Sequence, residues 1–197
     1  MPSPSDDGSA LEARIVALLA SGDQEAAATE VIQALGPAVQ RFLGALLGDW
    51  ALADDAYALF CEWTWRSLPT YRERSRLRIW CFGVAVNAAR RVREEPWRRR
   101  AQVFSTEGMA RLVAQRTSTS VADRERLWSG LDAVRAELGE DDRHLLVLRL
   151  EERLSWLEIE EVLRDGEAAA SAAALRKRFE RLKDRLGTLL RERGLLA

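Results

Sequence analysis

Apolar residues return every three or four positions through long runs of Ala, Leu, Arg and Glu, a spacing that places them on one face of an α-helix. Glycine and proline, twelve and five of 197 residues, are scarce inside these runs, so the chain is predicted to be all-α. A first helix is expected from Ser9 to Ala20, stopped by Ser21-Gly22-Asp23. A second covers 24–47, bent at Gly36-Pro37, with Val39, Phe42, Leu43 and Leu46 forming a buried stripe. A third runs from Leu52 to Ser67, with Ala56, Leu59, Phe60 and Trp63 on one face, and Pro69 closes it. A polar loop from Tyr71 to Arg78 leads into a fourth helix, from about Ile79 to Glu95, terminated by Pro96.

Residues 101–124 contain Ser105-Thr106, Gly108 and Thr117-Ser118-Thr119-Ser120 with no sustained stripe, which reads as a flexible linker. Beyond it Leu127, Leu131, Val134 and Leu138 mark another helix, and the aliphatic run from His144 to Leu150 predicts a central buried one. Ser155-Trp156-Leu157-Glu158 is a capping box that opens a short helix through Leu163. Asp165-Gly166-Glu167 breaks that helix. The final helix begins near 168–171 and runs to about Arg193, with Leu175, Phe179, Leu182, Leu186 and Leu189 spaced to pack on a core. The predicted organisation is an N-terminal segment with the first helix (1–23), a helical domain (24–100), the linker (101–124) and a second helical domain (125–197).

The formal net charge of −1 conceals a strong pattern. Residues 1–70 carry ten acids against three bases, and 71–100 carry ten arginines against three glutamates, giving −7 and +7. Residues 101–170 hold fifteen acids and nine bases, and 171–197 eight bases and three acids, giving −6 and +5. Two concentrated positive blocks in a near-neutral chain suit two contacts on one nucleic acid. The apolar fraction of 47% excludes a disordered chain. No apolar run reaches the roughly 18 residues of a membrane span, and the N-terminus lacks the basic flank of a signal peptide, so a cytoplasmic protein without membrane insertion is expected. Cys61 and Cys81 have no CxxC partner and read as buried thiols. The single histidine, His144, lies in an aliphatic run with no nucleophile or carboxylate pair around it. Without metal-ligand spacing or a phosphate-cradling glycine loop, neither enzyme chemistry nor a cofactor is expected.

A short capped helix, a glycine-containing turn and a longer basic helix read as a helix-turn-helix, whose second helix enters the major groove. At 100° per residue, Ala173, Ala174, Lys177 and Arg181 lie opposite the Leu175 stripe, with Arg176 and Arg178 on its flanks. The alanines allow close approach to DNA, and each bidentate base contact from the cations is worth about 1–3 kcal/mol of discrimination. The bland alternative is a solvated helix whose arginines pair with Glu180, Asp184 and Glu192.

These residues together resemble the extracytoplasmic-function group of bacterial RNA polymerase sigma factors, over roughly residues 24–195. In the first domain Gly48-Asp49, Ala53-Asp54-Asp55-Ala56 and Trp65-Arg66 resemble the family's acidic helix followed by a tryptophan. Trp80 to Asn87 matches the spacing from a helix-starting Trp to an Asn, followed by basic residues. In the second, Leu154 to Leu163 resembles the first motif helix and Ser171 to Leu186 the recognition helix. The resemblance implies that the first domain binds the clamp of core RNA polymerase, through Asp54 and Asp55, and captures the separated minus-ten strand of promoter DNA. Tyr71, Arg72, Arg74, Arg76, Arg78, Asn87, Arg90 and Arg91 would form that surface. The second domain would read the minus-thirty-five duplex through Ser171, Ala173, Ala174, Arg176, Lys177, Arg178, Glu180 and Arg181. An anti-sigma factor is a further implied partner. Asn87 shares a stripe with Trp80 and Val84, so a buried core amide is its alternative role, and Trp80 itself reads as core.

The chain departs from the family pattern in three places. Ala58-Leu59 stands where a Gln-Glu pair is usual, the turn from Arg164 to Ala170 is long, and Glu180 replaces a common neutral residue near the groove. Two other functions therefore compete with a sigma factor. One is a free-standing helix-turn-helix regulator, which has no need of a single-strand reader. The other is a sigma-like interaction protein without promoter activity, which the loss of Gln-Glu favours.

Overall fold

A computed structural model describes residues 4–73, 75–94, 137–164 and 170–192. The chain divides into two compact units, residues 1–117 and 118–197. The regular secondary structure of the described residues is helical, with no strand among them.

In the first unit α1 (Pro4–Ala20), α2 (Gln24–Leu47), α3 (Trp50–Ser67) and α4 (Leu77–Glu94) follow one another, with a 3₁₀ turn at Leu68–Thr70. Local chemistry sets their ends. Asp23 accepts from the Ala26 N–H at 3.0 Å and opens α2. Gly48, at φ 69°, closes it by donating to the Gly44 carbonyl, a left-handed conformation that glycine adopts without strain. Asp49 then accepts from the N–H groups of Ala51 (2.8 Å) and Leu52 (3.2 Å), so α3 begins at Trp50, ahead of the expected Leu52. Helix α1 likewise starts at Pro4 rather than Ser9. Helix α2 runs unbroken through Gly36-Pro37, with Pro37 inside it.

Helices α2, α3 and α4 each bury one phenylalanine. Phe42 (α2), Phe60 (α3) and Phe82 (α4) are fully buried, and the rings of Phe42 and Phe82 are tilted with centroids 4.9 Å apart. Burial of such a side chain contributes about 1.5–3 kcal/mol. Alanines 53, 56, 85, 88 and 89, all fully covered, let α3 and α4 approach closely. Helix α1 is fastened over this core by Leu11 and Ile15, by an ion pair between Arg14 and Glu30, and by the Glu12 carboxylate, which accepts from the Leu77 N–H at the start of α4. Cys61 and Cys81 are both buried, and burial pushes the Cys81 thiol pKa up.

In the second unit α5 (Glu140–Leu146) runs directly into a π-helical turn (Val147–Glu151), followed by α6 (Trp156–Leu163) and α7 (Ala172–Glu192). Leu145, Leu148, Ile159 and His144 form the centre, and Leu175, Phe179 and Leu182 of α7 pack there. The widened turn has a consequence for the aliphatic run. Leu150 emerges 58% exposed instead of continuing the buried stripe. The turn ends with Arg153 at φ 55° and a bond from the Leu154 N–H to the Leu148 carbonyl. Ser155 and Glu158 make both halves of the capping box, at 3.3 Å and 2.8 Å. Beyond Leu182, Leu186 and Leu189 are only half-buried. The expected linker 101–124, most of the helix placed through Leu127 and Val134, and the break at Asp165-Gly166-Glu167 lie outside the described residues. No helix among the described residues is long and apolar enough to cross a membrane.

Candidate nucleic-acid interface

Helix α4 is buried on a broad face made by Leu77, Ile79, Cys81, Phe82, Ala85, Val86, Ala88, Ala89 and Val92. Trp80, Gly83, Val84, Asn87 and Arg90 fall on the remaining face, at spacings of three and four, and are half-exposed. Asn87 is therefore not a buried core amide. Its Oδ1 accepts from Arg90 Nη1 at 3.3 Å, an interaction that occupies the oxygen and not the amide nitrogen. Trp80, expected in the core, is also only half-covered; its ring lies 5.7 Å from that of Tyr71.

Tyr71 departs from its expected place. It is 8% exposed, and its hydroxyl donates to the Ser75 carbonyl at 2.7 Å across the loop. Burial, with the Glu12 and Glu73 carboxylates adding to it, pushes the hydroxyl pKa up to about 12. A ring held this way braces the loop beneath Trp80 and offers no face to a base. Around it Arg72, Arg76 and Arg78 are exposed. Arg72 donates to the Pro69 carbonyl at 2.9 Å. Arg78 belongs to the first turn of α4, not to the loop, and its guanidinium lies 4.9 Å from the Phe82 ring centroid. Arg91 is exposed beyond Arg90, whereas Arg93 turns back to donate to the Leu46 carbonyl at 3.2 Å. Arg74 lies outside the described residues.

In the second unit Ser171, Ala173, Ala174, Arg176, Lys177, Glu180 and Arg181 are all exposed at the start and along the outer face of α7. Glu180 pairs with Lys183 at 2.6 Å, one turn away on the same helix. Arg178 does not join this face. Its Nε donates to Asp142 at 2.7 Å and its Nη1 to Asp141 at 3.0 Å, tying α7 to the first turn of α5. Burial lowers the guanidinium pKa, but the hydrogen bonds and charges of Asp142 and Asp141 outweigh that and hold it above its usual value. The start of α7 is capped from α6: Glu160 accepts from the Ala172 N–H at 2.7 Å. Sequence reasoning missed Glu160, Asp141 and Asp142, whose partners lie 12 to 37 positions away. An acid-rich first turn at Glu140-Asp141-Asp142 was the only local signal, and it signals helix capping equally well.

The folded first unit and its half-exposed α4 face can be set beside known families. Residues 31–101 match the family model described as sigma-70 region 2. No curated protein matches the chain. The region 2 match takes in α2 from residue 31, α3, the loop and α4, so the Trp80–Asn87 face and the arginines around it lie inside the matched segment. It supports a sigma-type role in binding RNA polymerase and recognising the minus-ten element, and region 2 is not an enzyme family. Helix α1 precedes the match and α5 to α7 follow it. Within region 2, Asp54 and Asp55 are half-exposed on α3, and Asp54 Oδ1 accepts from the buried Gln40 amide at 3.4 Å. Asp54 thus links α3 to α2.

Proposed function

We propose that this protein is a sigma factor of the extracytoplasmic-function type: it binds core RNA polymerase and directs promoter-specific initiation. The observation that carries the reading is the α4 face. A region 2 match surrounds a half-exposed Trp80–Val84–Asn87–Arg90 stripe, flanked by Arg72, Arg76, Arg78 and Arg91. An unstacked base needs an aromatic edge and a polar group, and its backbone needs cations, all present on one surface. Tyr71 contributes by holding Trp80, and Asp54 and Asp55 lie on the clamp-facing helix. In the second unit α6 and α7 are read as a helix-turn-helix, with Arg176, Lys177 and Arg181 reaching the minus-thirty-five duplex past Ser171, Ala173 and Ala174. Polymerase supplies the chemistry, so no cofactor is needed, and the working place is the cytoplasm. An anti-sigma factor that covers either basic face would restrain it.

Transcription by purified core polymerase with the full chain tests this on promoters taken from start sites mapped after overproduction. Specific initiation at those sites is expected. Its absence, with polymerase binding intact, would favour the sigma-like interaction protein. Ala58-Leu59 and the engagement of Asp54 with Gln40 are the observations on that side.

A further inference from the structure

The arginine that the outer face of α7 lacks is held by two carboxylates. Arg178 sits beside the exposed Arg181 and Lys177, yet its guanidinium is shared by Asp141 and Asp142, with the Asp142 side chain only 19% exposed. Arg185, one turn below the Arg178–Arg181 level, is drawn the same way: Nη1 lies 3.9 Å from Asp142 and Nη2 donates to the Glu137 carbonyl at 3.4 Å. Two carboxylates shared by two guanidinium groups sum to zero, so the flank of a basic helix carries no net positive charge there.

We infer that Asp141 and Asp142 form a charge mask that withholds Arg178 from DNA phosphates, suppressing sequence-independent duplex binding by α7. The inference rests on the reading of α7 as a duplex reader. Physically, non-specific affinity grows with the number of phosphates neutralised, whereas base contacts carry discrimination. Removing one flanking cation from the phosphate tally leaves the base-facing Arg176, Lys177 and Arg181 a larger share of the binding free energy.

The test is a cycle of full-length variants binding a random-sequence duplex and a promoter duplex over a salt series, with helix content checked for each. D141N/D142N is expected to raise random-duplex affinity several-fold and to steepen the slope of log K against log salt by about one. It should lower the ratio of promoter to random binding. R178A in the unaltered background is expected to change random-duplex affinity by less than about twofold, and D141N/D142N/R178A to lose the gain. A gain that persists without Arg178 would mean a general field effect and would overturn the mask. So would a loss in R178A as large as that in R181A, a comparison that holds even where the acid-to-amide variant fails to fold. If R176A, K177A and R181A all bind both duplexes as the parent does, it is the duplex-reading role of α7 that fails.

Discussion

Asn87 is where one residue separates function from packing most clearly. It is half-exposed and makes one side-chain bond, to Arg90, so replacing it removes little core contact. Asn87→Ala is expected to leave helix content and duplex binding unchanged while reducing open-complex formation about tenfold, the loss of roughly one good polar base contact. Permanganate reactivity of promoter thymines would measure this; a drop in thermal stability with no opening defect would return Asn87 to a structural role. Tyr71 gives a complementary prediction. Its hydroxyl pKa is raised above the ordinary value of 10, so the unfolded chain releases this proton first as pH rises. The contribution of Tyr71 to stability is therefore complete below about pH 10 and is lost towards pH 12. Denaturant titrations at pH 9 and 11 should show a larger fall for the parent than for Tyr71→Phe, which at neutral pH costs about 1 kcal/mol for the lost bond to Ser75.

At the scale of elements, some helix ends were written into the sequence, whereas the starts of α1, α3 and α4 and the close approaches between helices were not. The pairs Ser155–Glu158 and Gly48-Asp49 punctuate the chain where the local pattern predicts. Gly36 reads as a helix weakener, and an alanine there would ordinarily add about 1 kcal/mol. Here a Cβ would collide with the hydroxyl of Tyr57, which is 4% exposed and stacked on Phe60. Gly36→Ala is therefore expected to destabilise the first unit by about 1–3 kcal/mol despite its better helix propensity. A rise in the denaturation midpoint would contradict this. Arg153, in the left-handed region after the π-helical turn, predicts the opposite sign. Arg153→Gly should stabilise the second unit by about 0.5–1 kcal/mol, because glycine takes that conformation without a Cβ clash.

For the whole molecule, a chain of net charge −1 that concentrates its cations on two surfaces should bind promoter DNA with a steep salt dependence. Each phosphate contact adds about 0.9 to the slope, so Arg176→Ala and Lys177→Ala identify their own roles. A uniform loss on all duplexes with a shallower slope marks a phosphate contact, and a loss confined to the promoter marks a base contact. Filter binding across salt concentrations distinguishes them.

What the sequence determined by itself was whatever depends on neighbours along the chain: the all-α class, the caps, the charge blocks and the Trp80-to-Asn87 spacing. Hydrophobic period and capping chemistry act over a few residues, and so they are legible there. Only the tertiary structure decided which way ambiguous stripes face. Trp80 and Asn87 share a period with core residues and yet lie at the edge of the bundle, because the closely packed alanines of α3 and α4 turn the other faces inward. Tyr71 and Arg178 have the composition of a DNA surface, but Ser75 in one case and Asp141 and Asp142 in the other claim them first. For Arg178, that competition is between partners far apart in the chain, and only folding brings them within reach.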